Sequence, residues 1–156
     1  MRKTRAKKRP LLPDPRFNDP LVTRFVNNLM YDGKKSTAFT IFYDAIDIVS
    51  EKSGEANGLD QWKTALTNVM PHVEVRSRRV GGSTFQIPQQ IRPERKISMA
   101  MKWMIGYARG RNEKSMAAKL AGEIMAAAKE EGAAVKKRMD VHKMAEANKA
   151  FSHFRF

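Results

Sequence analysis

Cysteine is absent from the 156 residues of the chain, and no apolar run approaches the length of a membrane-spanning helix. Without thiols, a disulfide framework, a thiolate metal site and a thiol nucleophile are all excluded. The N-terminus is basic but lacks the apolar segment of a secretory signal. We therefore expect an intracellular, soluble protein.

A complete nucleotide-binding loop is also missing. Residues 32–37 place two lysines and a serine after a glycine, as such a loop does, but the motif needs another glycine five residues before Gly33. That position holds Asn28, inside a predicted helix. We exclude nucleotide binding at this segment and expect Lys34 and Lys35 to contact phosphate at a turn between two helices.

Residues for metal binding or catalysis are sparse. His142 and Glu146 lie four residues apart on a predicted helix, a spacing that metal sites use, but such sites usually need three or four ligands. The other histidines, His72 and His153, are distant from them in sequence. No serine, histidine and acid arrangement indicates a nucleophile. We predict no catalytic residue, no metal site and no cofactor.

The charge balance is the strongest positive signal. There are 30 Lys and Arg residues against 16 Asp and Glu, giving a formal net charge of +14 and a pI near 10.3. This field attracts polyanions, of which nucleic acid is the first candidate and an anionic membrane surface the second. A hydrophobic fraction of 42% is enough to form a buried core.

Most basic residues gather in clusters at predicted turns or helix starts. Turns can converge on one side of a helical bundle, which favours one broad phosphate-binding surface. We expect the proline-containing N-terminal arm, residues 1–16, to be disordered alone and ordered on phosphate. The candidate contacts are Arg2, Lys3, Arg5, Lys7, Lys8, Arg9, Lys34, Lys35, Arg76, Arg78, Arg92, Arg95, Lys96, Arg109, Arg111, Lys114, Lys136, Lys137 and Arg138.

Apolar residues at helical spacing predict six helices. Asp19 and Pro20 suit the start of the first helix, and Gly33 its end. The fourth helix carries two apolar stripes, through Met101 and Trp103, so we expect it to be central and covered on two sides. The other predicted limits are Ser36 to Gly54, Asp60 to Pro71, a start after Pro93, Ser115 to Gly132, and about Lys137 to Asn148.

The hydrophobic period changes in residues 72–89, which are rich in β-branched and aromatic residues around a Gly81-Gly82 turn. A two-residue turn puts Arg78 opposite Phe85 and leaves no continuous apolar face, although a bulge or longer turn would change this register. We predict a mainly α fold: one domain over residues 1–156, with a bundle of about six helices and a basic two-stranded β-ribbon projecting between helices three and four.

Three long stretches carry motifs that are specific to one family. They are FVNNLMYDGKKSTA (Phe25 to Ala38), VEVRSRRVGGSTFQIP (Val73 to Pro88) and AVKKRMDVHKMAEANKAFSHFRF (Ala134 to Phe156). With these stretches, essentially the whole chain resembles bacterial small-subunit ribosomal protein seven. The basic arm and the pair Asn112-Glu113 depart from the family pattern, and the sequence lacks the longer C-terminal extension of some members.

The resemblance implies a structural, non-enzymatic protein that is cytoplasmic and ribosome-bound. It implies early, direct binding to the 3′ major domain of small-subunit ribosomal RNA, which nucleates assembly of the subunit head. It also implies a place at the subunit interface near the decoding centre, with the ribbon beside the exit-site transfer RNA. Neighbouring head and platform proteins of the ninth and eleventh families would be partners.

Residue roles follow from the same resemblance. The segment Lys114-Ser115-Met116 fits the family, which adds Ser115 and Met116 to the expected ribosomal RNA contacts. The residues expected on the side of the exit-site transfer RNA are Arg79, Gly81, Gly82, Lys143, Lys149, His153 and Arg155.

Two other classes of function are compatible with a basic chain. A DNA-compacting or transcription-regulating protein would show a recognition helix, but no spacing here gathers base-reading side chains as a helix-turn-helix does. A membrane-surface protein needs a helix with an apolar face and a basic opposite face, whereas these basic residues gather at turns. Both alternatives are weaker than RNA binding.

Overall fold

The computed structural model describes residues 4, 6, 9–53 and 57–154. Its helices and strands confirm the predicted mainly α fold with a two-stranded antiparallel ribbon between the third and fourth helices. The elements are α1 (Pro20–Leu29), α2 (Lys35–Ser53), α3 (Gly58–Val69), β1 (Val73–Val80), β2 (Ser83–Gln90), α4 (Pro93–Arg109), α5 (Met116–Ala128), α6 (Ala133–Ala147) and a 3-10 helix (Lys149–Phe154).

The start of α1 follows the predicted chemistry. The Asp19 carboxylate accepts a hydrogen bond from the backbone N–H of Leu21 at 2.8 Å, and Pro20 occupies the first turn. An aspartate cap satisfies a backbone donor that has no partner within the helix, and proline there loses no hydrogen bond. The same Asp19 forms an ion pair with Lys63 of α3 at 2.8 Å, which joins the first and third helices.

The turn between α1 and α2 differs in detail from the prediction. Helix α1 ends at Leu29, and both Asp32 and Gly33 then adopt positive φ angles of 53° and 73°. Two successive left-handed residues reverse the chain direction, so Gly33 shapes the turn and does not end the helix. Because α2 begins at Lys35, Ser36 lies in its first turn and does not precede it as a cap.

Helix α5 is the central helix of the bundle. It packs against α2, α3 and α4. Small side chains on a helix let its neighbours approach closely, and three of the buried residues on α5 are alanines. The buried positions include Ala117, Leu120, Ala121, Ile124 and Ala127.

The second side of α4 is covered less completely than predicted. One face, which includes Met101 and Met104, is fully buried against the bundle. On the second stripe Trp103 is only half-buried and Tyr107 is 36% exposed. The alanine-rich α5 is more fully surrounded, since it packs against α2, α3, α4 and α6.

An aromatic cluster joins the first three helices in the core. Phe25 of α1, Phe42 of α2 and Trp62 of α3 are all fully buried. Their ring centroids lie 5.2–5.4 Å apart in tilted and edge-to-face arrangements, which are favourable for aromatic pairs.

The buried Glu123 explains why α6 begins earlier than predicted. Its carboxylate accepts a hydrogen bond from the backbone N–H of Ala134 at 2.9 Å. Helix α6 therefore starts at Ala133 and not near Lys137. Gly132, with φ of 91°, precedes α6, whereas α5 has already ended at Ala128. The cap is supplied by a residue of α5, so the local sequence of α6 carries no sign of it.

The β-ribbon has the predicted two-residue turn. Gly81 and Gly82 both have positive φ, 56° and 87°, and Arg78 pairs with Phe85 as expected. The turn residues at the tip are exposed, and the 3-10 helix contacts β2 near that end at Phe85. Both strands also pack against α6 nearer the base of the ribbon. Glu74 and Ile87 are buried there. Since a lone two-stranded hairpin is marginal in water, these contacts at the base support the exposed tip.

Candidate nucleic-acid interface

Only part of the predicted N-terminal arm can be placed. Arg2, Lys3, Arg5, Lys7 and Lys8 lie outside the described residues, as does Arg155, whereas Arg9 is exposed.

The end of the arm is fixed to helix α2. Buried Asp14 accepts backbone hydrogen bonds from Arg16 at 3.1 Å and Phe17 at 2.7 Å, and a third from the hydroxyl of Tyr43. Burial of the phenol and its hydrogen bond to Asp14 raise the pKa of Tyr43 to about 12. Arg16 also forms an ion pair with Asp47 at 2.6 Å. Residues 14–16 are therefore part of the folded body.

A pocket of about 370 Å³, open to solvent, lies at the C-terminal end of α4. We call it the Tyr31 pocket. It combines an exposed aromatic ring and apolar side chains with three cations, and no acidic residue is among the described residues that line it. The lining residues are Leu29, Tyr31, Ile41, Arg109, Lys114, Met116 and Lys119.

Arg109 is held against the aromatic ring of this pocket. Its guanidinium carbon lies 4.0 Å from the centroid of Tyr31, and one of its nitrogens donates to the tyrosine hydroxyl. Another nitrogen donates to the carbonyl oxygen of Leu29 at 3.1 Å. A guanidinium over an aromatic face gains a cation–π attraction, and the Leu29 carbonyl belongs to the C-terminal turn of α1. None of these Arg109 partners is a carboxylate.

Arg111 has a different environment although it is only two residues further along. Its guanidinium donates to Glu113 at 2.8 Å and to buried Glu123 at 3.1 Å. These hydrogen bonds raise the pKa of Arg111 and hold the pKa of Glu113 below its ordinary value. Since Glu123 also caps α6, Arg111 ties the α4–α5 turn to the start of α6.

A second cationic cluster lies at the base of the ribbon, beside the N-terminal end of α4. We call it the Glu74 cluster: Glu74, Arg76 and Arg95. The side chain of Glu74 is only 8% exposed and takes hydrogen bonds at 2.8–3.1 Å from both arginines, whose own side chains are more than half exposed. Burial alone would raise the pKa of Glu74, but the bonds from Arg95 and Arg76 outweigh it and lower that pKa.

Two histidines that are far apart in sequence meet next to this cluster. His142 accepts a hydrogen bond from the backbone N–H of His72 at 3.1 Å, and the ring centroids lie 5.9 Å apart. The ammonium nitrogen of Lys96 lies 3.3 Å from Nδ1 of His72. Burial, together with nearby Arg138 and His72, lowers the pKa of His142. Within the described ranges no three acidic or histidine side chains gather in a way that could hold a metal ion.

The Tyr31 pocket and the Glu74 cluster lie at opposite ends of one helix. Arg109 ends α4, whereas Arg95 lies in its first turn. The helix has 17 residues, so the two ends are about 25 Å apart at 1.5 Å per residue. The contacts thus define two separate groups of cations, and the single broad surface expected from the sequence stays a prediction.

The remaining predicted RNA contacts differ in exposure. Lys34 and Lys35 are exposed at the α1–α2 turn, and Met116 lines the Tyr31 pocket. Ser115 accepts a hydrogen bond from the N–H of Ala118 at 3.2 Å and so caps α5, as predicted. Arg92 and Lys136 are exposed, while Lys137 and Arg138 are half-buried in the first turns of α6.

Most residues expected on the transfer-RNA side lie on the ribbon tip, α6 and the 3-10 helix. Arg79, Gly81 and Gly82 are exposed at the ribbon tip, and Lys143, Lys149 and His153 are exposed on α6 and the 3-10 helix. The 3-10 helix packs against β2 through Phe151 and Phe85, whose ring centroids lie 5.2 Å apart. The fold therefore brings the C-terminal elements against the ribbon.

Sequence reasoning did not identify Tyr31, Lys119 or Glu74. Lys119 lines the Tyr31 pocket and donates to the Arg109 carbonyl oxygen at 3.4 Å, although it does not belong to a run of basic residues. Glu74 alternates with Arg76 and Arg78 in β1. An acidic residue within a basic strand was the signal that could have predicted an ion pair there. Tyr31 precedes the Lys34-Lys35 pair in the same turn, where aromatic and basic residues together indicate nucleic-acid contact.

In the described part of the chain, no helix is both long and apolar enough to cross a bilayer.

Comparison with known proteins agrees with the motifs described above. A family model described as "Ribosomal protein S7p/S5e" matches residues 1–149. Proteins named "Small ribosomal subunit protein uS7" from Flavobacterium psychrophilum and Flavobacterium johnsoniae are 81% and 80% identical, over the full length of both chains in each case. A protein of the same name from Cytophaga hutchinsonii is 69% identical, again over both full lengths.

The family match confirms the resemblance and, with it, a structural and non-enzymatic ribosomal role in translation. Its extent leaves little of the sequence unexplained, since it spans the helical body and the ribbon alike. This chain belongs to the ribosomal protein S7p/S5e family.

Proposed function

We propose that this protein binds the 3′ major domain of small-subunit ribosomal RNA directly in the cytoplasm and nucleates assembly of the subunit head. The observation that carries the proposal is the placement of exposed cations at both ends of α4. These cations lie in the end turns of α4 and in the loops beside it, where they can reach phosphates of folded RNA without unfolding a helix. The net charge of +14 provides the long-range attraction for such a partner.

Filter binding across a salt series tests this proposal. The ligand is a transcript of the 3′ major domain, and the control is a transcript of equal length from another domain of the same RNA. We expect specific binding with a steep negative dependence of log affinity on log salt, about −0.9 per phosphate contact in duplex regions. A slope near zero, or equal affinity for both transcripts, would contradict direct and specific binding.

We further propose that the ribbon divides its contacts along its length. Arg78 and Arg79 are both exposed near the tip, and successive side chains of a strand point to opposite faces. One strand can therefore contact two partners at once. The family resemblance indicates that these are ribosomal RNA nearer the base and the exit-site transfer RNA nearer the tip. The packing of α6 and the 3-10 helix against the ribbon extends this second side.

Replacing Val80–Thr84 with a shorter turn tests the division. The body should still fold and assemble the subunit head, because the core and the Glu74 cluster lie outside the exchanged segment. Retention of exit-site transfer RNA should fall in reconstituted subunits. The matched comparison is the double variant Arg76→Ala and Arg78→Ala, which should weaken ribosomal RNA binding instead. Loss of assembly in the tip variant with a silent double variant would overturn this division.

The neighbours belong to the same proposal. A position at the subunit interface near the decoding centre would bring the protein against head and platform proteins of the ninth and eleventh families. Stepwise reconstitution tests this order: both neighbours should join the subunit only after this protein has bound. If they join equally well in its absence, the proposed role in nucleating the head is wrong.

A further inference from the structure

The Tyr31 pocket has one feature that phosphate binding does not require. Tyr31 is 63% exposed although an aromatic ring gains by burial, and it lies among three cations and the apolar side chains of Leu29, Ile41 and Met116. A site for phosphate alone needs only donors and positive charge. An aromatic face combined with apolar walls is suited to a flat, partly apolar ligand.

The ring is already held in position without a ligand. Arg109 covers one face at 4.0 Å from the ring centroid, and its bond to the Leu29 carbonyl fixes the guanidinium to the end of α1. Since Tyr31 is still 63% exposed with this face covered, much of the remaining ring faces solvent. A planar ligand that stacks here would therefore not need to order the side chain first, which lowers the entropic cost of binding.

The surroundings indicate a polyanionic ligand. Lys114 and Lys119 line the same pocket as the ring, and Lys119 donates a 3.4 Å hydrogen bond to the Arg109 carbonyl oxygen. No acidic residue is among the described residues that line the pocket, in contrast to the Glu74 cluster. Unpaired bases of RNA loops stack on aromatic side chains and on arginine planes, while their phosphates bind lysine.

We propose that the Tyr31 pocket receives one unpaired nucleobase of RNA, which stacks on the Tyr31–Arg109 pair while Lys114 and Lys119 hold the flanking phosphates. This inference rests on the proposed function as an RNA-binding protein and adds a contact that depends on a base and not on charge.

Three variants separate stacking from charge. Affinity for the 3′ major domain transcript is measured across a salt series for Tyr31→Ala, Tyr31→Phe and the control Tyr107→Ala, which changes an exposed tyrosine outside the pocket. Tyr31→Ala should weaken binding about fivefold to a hundredfold with an unchanged salt slope, because a base contact is lost and no cation is removed. Tyr31→Phe and Tyr107→Ala should stay within about twofold of the unchanged protein.

Photocrosslinking of the unchanged protein gives a second readout that needs no variant to fold. A 3′ major domain transcript containing 5-iodouridine should crosslink at Tyr31, as a stacked ring does, and mass spectrometry locates the crosslinked residue. Absence of a Tyr31 crosslink overturns the stacking site, and so does an affinity of Tyr31→Ala within twofold of the unchanged protein. If the unchanged protein itself binds the transcript without salt dependence, the proposed function fails instead.

Discussion

The two cationic groups at the ends of α4 differ in what their arginines contact. In the Glu74 cluster, two arginines share one buried carboxylate, so three charged side chains carry a net charge of only +1. At the Tyr31 pocket, Arg109 contacts an aromatic ring, a hydroxyl and a carbonyl, all of them neutral. The lesson is that a run of basic residues does not show whether its charge is available to a ligand.

The difference has a structural reason. The ribbon base must be fixed to the helical body, and an isolated two-stranded hairpin has little stability of its own. Glu74 on β1 and Arg95 on α4 make that connection with a charge-assisted hydrogen bond. The turn at the other end of α4 is fixed instead by Arg111 with Glu113 and Glu123, which leaves Arg109 and Lys114 for a ligand.

The largest expected effect on RNA binding comes from the N-terminal arm, a third group of cations. Removal of Arg2–Arg9 deletes six cations, of which Arg9 is exposed. If half of them contact phosphate, the salt slope should become less negative by about 3, and affinity should fall more than tenfold at low salt. The free energy of unfolding should change by less than about 0.5 kcal/mol, because the anchor at Asp14 remains.

Filter binding and thermal unfolding of the truncated protein check this expectation together. A large loss of unfolding free energy would show that the arm supports the fold. Unchanged affinity would show that the arm is only a solvated tail.

Glu74→Ala should have the next largest effect, and it concerns stability. The change removes the shared partner of Arg76 and Arg95, and we expect a loss of about 2 kcal/mol in the free energy of unfolding. Glu74→Gln, which preserves volume and some hydrogen bonding, is the matched control and should lose less. Urea unfolding followed by tryptophan fluorescence measures both. If Glu74→Ala is as stable as the unchanged protein, the cluster does not fix the ribbon.

The same residue predicts a dependence of stability on pH. Because the pKa of Glu74 in the folded protein lies below its ordinary value of 4.5, its ionised form stabilises the fold at pH values above 4.5. This contribution should be lost as the pH falls below 4.5 and through the folded-state pKa. In Glu74→Gln that part of the pH dependence should be absent. An identical acid profile for the variant and the unchanged protein would contradict the role assigned to the carboxylate.

Smaller effects on RNA binding and stability should distinguish Arg76 from Arg78 in β1. Arg78→Ala should lower the magnitude of the salt slope by about one, as expected for one lost phosphate contact. Arg76→Ala should in addition destabilise the protein, and the double change with Glu74→Gln should recover part of that loss, because the two side chains are coupled. Additive losses in unfolding free energy would show that Arg76 does not act through Glu74.

The sequence was sufficient for features that depend on local chemistry. The cap at Asp19, the cap at Ser115 and the glycine turn of the ribbon each need only a few neighbouring residues, and the structure has all three. The register of Arg78 against Phe85 followed from the two-residue turn. The family motifs predicted the architecture for the same reason, since they include the turns as well as the apolar positions.

What the sequence did not reveal depends on contacts between distant residues. Glu123 caps α6 from α5, so the start of that helix could not be found in its own residues. His72 and His142 are 70 positions apart, and Arg109 is 78 positions from Tyr31. Two apolar stripes on α4 suggested a central helix, but periodicity does not show which helix has small enough side chains to be surrounded, and that helix is α5.

The central claim is that the Tyr31 pocket binds RNA whereas the Glu74 cluster stabilises the fold. Its most direct test compares Lys114→Ala with Arg95→Ala, with the salt slope of RNA binding and the free energy of unfolding measured for each. Lys114→Ala should lower the magnitude of the slope by about one and leave stability within about 0.5 kcal/mol. Arg95→Ala should lower stability by about 1 kcal/mol, because buried Glu74 loses one partner. The account is contradicted if Lys114→Ala destabilises the fold with an unchanged slope, or if Arg95→Ala leaves stability unchanged.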